Sequence, residues 1–130
     1  MNVKIYRLKK SPRISSKAVT RLVRSITGQE GCASSQVNIV LADDAYLRSL
    51  NRTFFHKNRP TNVIAFTFDH LVEIYISLDQ TRDQADAYYY IAHGLLHVAG
   101  HDHLTKSDER RMNRKCLEYI GKVICKRGAR

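Results

Sequence analysis

Asn2–Leu8 places Val3 and Ile5 at alternate positions, with Tyr6 and Leu8 behind them, the period of a strand. Ser16 then opens a helical pattern through Ala18, Leu22, Val23 and Ile26, which Gly28 is expected to stop. Alternation returns in Gln36–Leu41 with Val37, Ile39 and Leu41, a second strand. Asp43 or Asp44 can cap the next helix, whose inner side is expected to carry Tyr46, Leu47, Leu50 and Phe54. A polar loop, His56–Asn62, leads to two short strands close enough to be neighbours, Val63–Phe68 and Val72–Ser77. A long helix over about 81–99, rich in Ala, Tyr, Ile and Leu, follows and ends at Gly100. Ser107-Asp-Glu starts the last helix, with Met112, Cys116, Tyr119, Ile120 and Val123 at helical spacing. This order predicts an α+β fold, loosely α/β: one small mixed sheet of about four strands packed with four to five helices.

Length and composition narrow the function classes. A chain of 130 residues has the size of one domain, 1–130, which argues against a separate domain for an organic cofactor. A hydrophobic share of 43% supports a real core and excludes disorder. No apolar run approaches the ~18 residues of a membrane span, and Met1–Lys10 alternates charged with apolar residues, so no membrane attachment and a cytoplasmic location are expected. Cys32, Cys116 and Cys125 form no Cys-x-x-Cys pair and are expected to be free thiols in a reducing compartment.

The net charge of +10 is concentrated at the ends. Residues 1–30 hold eight basic residues against one acid, Glu30. Residues 110–130 hold eight, among them Arg110, Arg111, Arg114 and Lys115, against Glu118. The stretch between them is acidic on balance. Basic ends around such a centre suggest a polyanion held at the periphery, the alternative being two solvated faces.

Four of the six histidines fall within His93-Gly-Leu-Leu-His97-Val-Ala-Gly-His101-Asp-His103. On a helix His93 and His97 project from one face a turn apart, the spacing that lets two nitrogens reach one metal at about 2.0–2.1 Å. Gly100 allows the sharp turn that brings His103 back beside them. Three histidines with an open fourth position make a catalytic zinc arrangement. A lone histidine on such a face is better read as a satisfied core residue, but three unpaired imidazoles buried together would cost several kcal/mol. His101 and Asp102 are candidates for proton transfer; otherwise His101 points into solvent and Asp102 supports a ligand or caps the turn. The spacing matches the metzincin peptidase signature except that Gly94 stands where those enzymes place the Glu that serves as general base, which argues against a peptidase.

The histidine string resembles the His-Gly-x-Leu-His-Leu-x-Gly-Tyr-Asp-His motif of the YbeY family of metal-dependent endoribonucleases. Leu50-Asn51 followed by Pro60-Thr-Asn-Val-Ile-Ala-Phe66, and Glu73-Ile-Tyr-Ile-Ser77, are similar to two further motifs of that family. The resemblance implies a single-strand-specific endoribonuclease of ribosomal RNA maturation, notably at the 3′ end of the small-subunit RNA, and of ribosome quality control. It implies one divalent metal ion, zinc, held by His93, His97 and His103, with single-stranded ribosomal RNA and the small subunit as partners. Two departures stand out. Phe55 occupies the place of an Arg that contributes to activity in the family, so that Lys57 or Arg59 would have to supply its charge, and His101 replaces the usual Tyr. Two rival readings remain: an RNA-binding ribosome-assembly factor with a structural metal, and a metal-dependent hydrolase of a small anionic substrate. The expected RNA contacts are Lys57, Arg59, Arg110, Arg111, Arg114 and Lys115.

Overall fold

Alternation along the strands builds a sheet with one thoroughly apolar face. A computed structural model describes residues 1–11, 13–58, 61–101 and 104–128, with side chains as far as Val123. The elements follow in the predicted order: β1 (Asn2–Arg7), α1 (Ser16–Glu30), β2 (Gln36–Ala42), α2 (Asp44–Phe55), β3 (Val63–Phe68), β4 (Leu71–Ser77), α3 (Gln84–Val98) and α4 (Lys106–Gly128). The strands form one mixed sheet in the order β1-β2-β4-β3. β1 and β4 flank β2 in parallel, whereas β3 runs antiparallel to β4 through a tight turn at Asp69-His70.

In this register Ile39 lies between Ile5 and Ile74. Val37, Ile39, Leu41, Val72, Ile74 and Ile76 are fully buried and form the main core with α1, α3 and α4. On α4 the predicted stripe, Met112, Cys116, Tyr119, Ile120 and Val123, is buried throughout. Burying one such aliphatic or aromatic side chain contributes roughly 1.5–3 kcal/mol. The second face has a smaller core, Ala42, Leu47 and Ile64, beneath α2.

Several expectations need correction. α1 passes through Gly28 and ends at Gly31, which takes the left-handed conformation (φ 72°) and closes the helix on Thr27. α3 starts later than expected, because Asp83 accepts from the Asp86 amide (3.0 Å) and fixes the first turn there. α4 is capped by the Thr105 hydroxyl, not from Ser107: it accepts from the Asp108 amide at 3.0 Å. On α2, Leu47 is buried, but Tyr46 and Phe54 are exposed, because the helix covers only part of the second face. Cys32 and Cys116 are free thiols, and burial pushes the Cys116 thiol up to about 12. Among the described residues, no helix is long and apolar enough to cross a membrane.

Candidate active site

On α3 the residues His93 and His97 project from one face a turn apart, as their spacing predicts. Their ring centroids are 5.2 Å apart with planes at 75°. His93 is half-buried and His97 exposed, so the pair opens from the helix surface toward solvent. Tyr89, one turn earlier, lies nearly parallel to the His93 ring at 6.4 Å. Its hydroxyl donates to Asn113 Oδ1 on α4 at 2.6 Å, which anchors the ring behind His93. Neither Tyr89 nor Asn113 stood out in the sequence, although 89, 93 and 97 share one helical spacing.

The donor set fits a divalent ion. Two imidazoles at this separation can each bring a nitrogen to within about 2.1 Å of one ion, and neutral imidazole suits zinc and its neighbours. Among the described residues, no group of three His, Cys, Asp or Glu side chains could hold a metal. The remaining predicted ligand, His103, lies outside the described residues, together with Asp102 and Arg59.

The chain leaves α3 through the turn that Gly100 makes possible. Gly100 takes φ 104°, its amide donates to His97 O (3.1 Å), and the His101 amide donates to Leu96 O (3.0 Å). This is a Schellman motif, which satisfies the last carbonyls of the helix.

Gly94 has a packing reason. A Cβ at this position would lie 3.1 Å from Ile74 Cγ2 and 3.2 Å from Val63 Cγ2, so α3 approaches the sheet closely here because residue 94 has no side chain. A residue at 94 faces the core, away from the surface that carries His93 and His97.

His101 does not point free into solvent. Its Nε2 lies 2.7 Å from Glu30 Oε1, at the end of α1. Glu30 Oε2 accepts from Lys115 Nζ (3.0 Å) and from the Tyr119 hydroxyl (2.6 Å), both on α4. Burial pushes the Glu30 carboxyl up, but the hydrogen bonds from Tyr119, His101 and Lys115 outweigh it and hold it at about 2. Three elements thus meet at one ionised carboxylate behind the turn. The one signal in the sequence that sets Glu30 apart is that it is the sole acid among the first thirty residues.

The predicted RNA contacts divide. Lys57, Arg110, Arg111 and Arg114 are exposed, and the three arginines stand within about a turn of Asn113 on α4. Lys115 is half-buried and tied to Glu30, which makes it a structural cation.

Comparison with known proteins agrees with this architecture. The family model described as "Endoribonuclease YbeY" matches residues 4–123. Among curated relatives of that name, the protein of Carboxydothermus hydrogenoformans is 33% identical over 75% of this chain and 78% of its own. That of Geobacter sulfurreducens is 29% identical over 92% and 94%. The solution structure of TM1509 from Thermotoga maritima superposes with a TM-score of 0.63, covering 99% of this chain and 93% of its own at 23% identity, a likeness of fold. The match spans the sheet, the histidine helix and most of α4, and the chain belongs to the Endoribonuclease YbeY family.

Proposed function

We propose that this protein is a metal-dependent endoribonuclease that cleaves single-stranded RNA, and that its substrate is ribosomal RNA at the 3′ end of the small-subunit molecule, processed in the cytoplasm. The observation that carries the reading is the pairing of the His93 and His97 rings on one face of α3, in a chain of the YbeY family. His93, His97 and His103 would hold one divalent ion, zinc by its donor set. When bound, the ion would supply positive charge to attract a phosphodiester and to stabilise charge growing on its oxygens.

The protein's own groups have separate tasks. Tyr89 and Asn113 orient His93, and Gly100 makes the turn that ends α3. Glu30 occupies Nε2 of His101, which leaves Nδ1 as the nitrogen able to exchange a proton; Asp102 is the second candidate for that role. Arg110, Arg111 and Arg114 would receive phosphates beside the histidines, and Lys57 and Arg59 phosphates farther along the strand.

The test is metal analysis of the purified protein followed by incubation with unpaired and hairpin ribosomal RNA fragments, with and without a chelator. Chelator-sensitive cleavage confined to unpaired segments is the expected result. Salt-sensitive RNA binding without turnover would replace this reading by that of an assembly factor with a structural metal. Turnover of small phosphoesters alone would replace it by a hydrolase of small anions.

A further inference from the structure

α2 leaves part of the second sheet face open, and the open part is aromatic. Phe66 on β3 stands at its centre. Phe55 and Phe68 lie nearly parallel to it, with centroids at 5.9 and 6.0 Å and planes at 17° and 21°. Phe54 and Tyr75 meet it edge-on at 5.2 and 5.8 Å. Phe54, Phe55 and Phe68 expose 57%, 46% and 52% of their surface. Three half-bare phenyl groups around a fourth form a contiguous apolar patch, which marks an interaction site better than scattered single residues do.

Charge selects the occupant. Arg48 and Arg52 lie on the exposed side of α2, seven and three residues before Phe55, and Lys57 follows two residues after it. Among the described residues these cations make no ion pair. The acids near the rings are Asp69 in the hairpin turn and Glu73, across from Phe66 and bonded to Asn38 and Tyr75; Asp44, at the far end of α2, is bonded to Ser77 and Gln80, so the charge left beside Phe55 is that of Arg52 and Lys57. A second copy docked symmetrically would bring the cations of one patch toward those of the other. An unpaired nucleic acid strand presents flat bases to the rings and phosphates to the cations.

We propose that Phe55, Phe66 and Phe68 form a stacking platform for unpaired RNA bases, with Arg52 and Lys57 holding the adjoining phosphates. The inference rests on RNA being the substrate, and it adds a base-binding surface on the sheet face opposite the histidine helix. Phe66 is the support; Phe55 and Phe68 are the residues that touch bases.

The test is fluorescence anisotropy with a short labelled oligoadenylate and with the same oligomer carrying abasic nucleotides. Phe55→Ala and Phe68→Ala, whose rings are half exposed, should stay folded by circular dichroism and should each weaken oligoadenylate binding about tenfold. Their salt dependence should match wild type, Phe55→Tyr should restore affinity, and on the abasic oligomer all these proteins should bind alike. Arg52→Gln should lower the salt slope by about 0.7. Oligoadenylate binding unchanged in both alanine variants would overturn the platform. A wild-type dimer that the same variants convert to monomer would also overturn it and assign the patch to a second copy. If the wild type still cleaves RNA in either case, the endoribonuclease reading stands and the platform alone fails. A wild type that neither binds nor cleaves RNA overturns both.

Discussion

A carboxylate at position 94 would have to enter the apolar face of the sheet, where Ile74 and Val63 already stand within 3.2 Å of the missing Cβ. The departure from the peptidase signature is therefore built into the packing of α3. Gly94→Glu should cost more than about 4 kcal/mol, through overpacking and burial of a charge without a partner, and should yield no peptidase activity; urea denaturation and a casein assay would check it. Glu30 supports a second prediction. Its carboxyl is held at about 2 against an ordinary value of 4.5, so the folded state binds its proton less readily than the unfolded state. The stability it contributes, on the order of 2–3 kcal/mol, is present above pH 4.5 and is lost as pH falls toward 2. Glu30→Gln should unfold at lower urea than wild type at pH 7, and the gap should close across that interval. Both residues show where sequence reading ends. The histidine spacing was legible because one helix carries it, but Glu30 and His101 are seventy-one positions apart and no local pattern joins them.

At the scale of elements, strands and helices were legible where one face of each is buried: β4 and the apolar stripe of α4 match their expected periods, whereas β2, central in the sheet, is buried on both faces. α2 was harder. Its apolar residues at 46, 47, 50 and 54 suggest one inner side, but the sheet offers it a cover only at Leu47 and in part at Leu50. Apolarity predicts burial only where a second layer exists. α4 separates two kinds of cation. Neutralising Arg110, Arg111 and Arg114 together should lower the salt slope of single-stranded RNA binding by about 2. Lys115→Gln should leave the slope unchanged and lower the thermal midpoint instead, because it removes a donor from Glu30. Binding titrations at a series of salt concentrations, beside melting curves, distinguish the two.

For the molecule as a whole, the main core lies between one sheet face and three helices, and neither His93 nor His97 belongs to it. His97→Ala should therefore retain the fold and a cooperative unfolding transition while losing stoichiometric metal on dialysis, unlike a zinc finger, which depends on its ion to fold. Circular dichroism and elemental analysis of the same sample test this. The uneven charge was legible in the composition, but its use was not. Arg7 is spent on Ser11, Ile14 and Ser16, so the basic amino-terminal segment offers a polyanion fewer cations than its sequence suggests. The sheet order also prescribes a sequence of events in time. β3 and β4 are joined by a tight turn and can pair within microseconds, whereas the parallel pairs form only after longer crossovers have closed, through α1 for β1 and β2 and through α2 and β3 for β2 and β4. Folding should pass through a barrier at which the hairpin is formed and the parallel pairs, that of β1 included, are still incomplete. Ile64→Val should then slow refolding, and Val3→Ala should mainly speed unfolding, in stopped-flow measurements over a range of denaturant. A chain emerging amino-terminus first makes β1 and its neighbour β2 before β4 exists, so the far edge of β2 stays open until the hairpin that closes it has been synthesised.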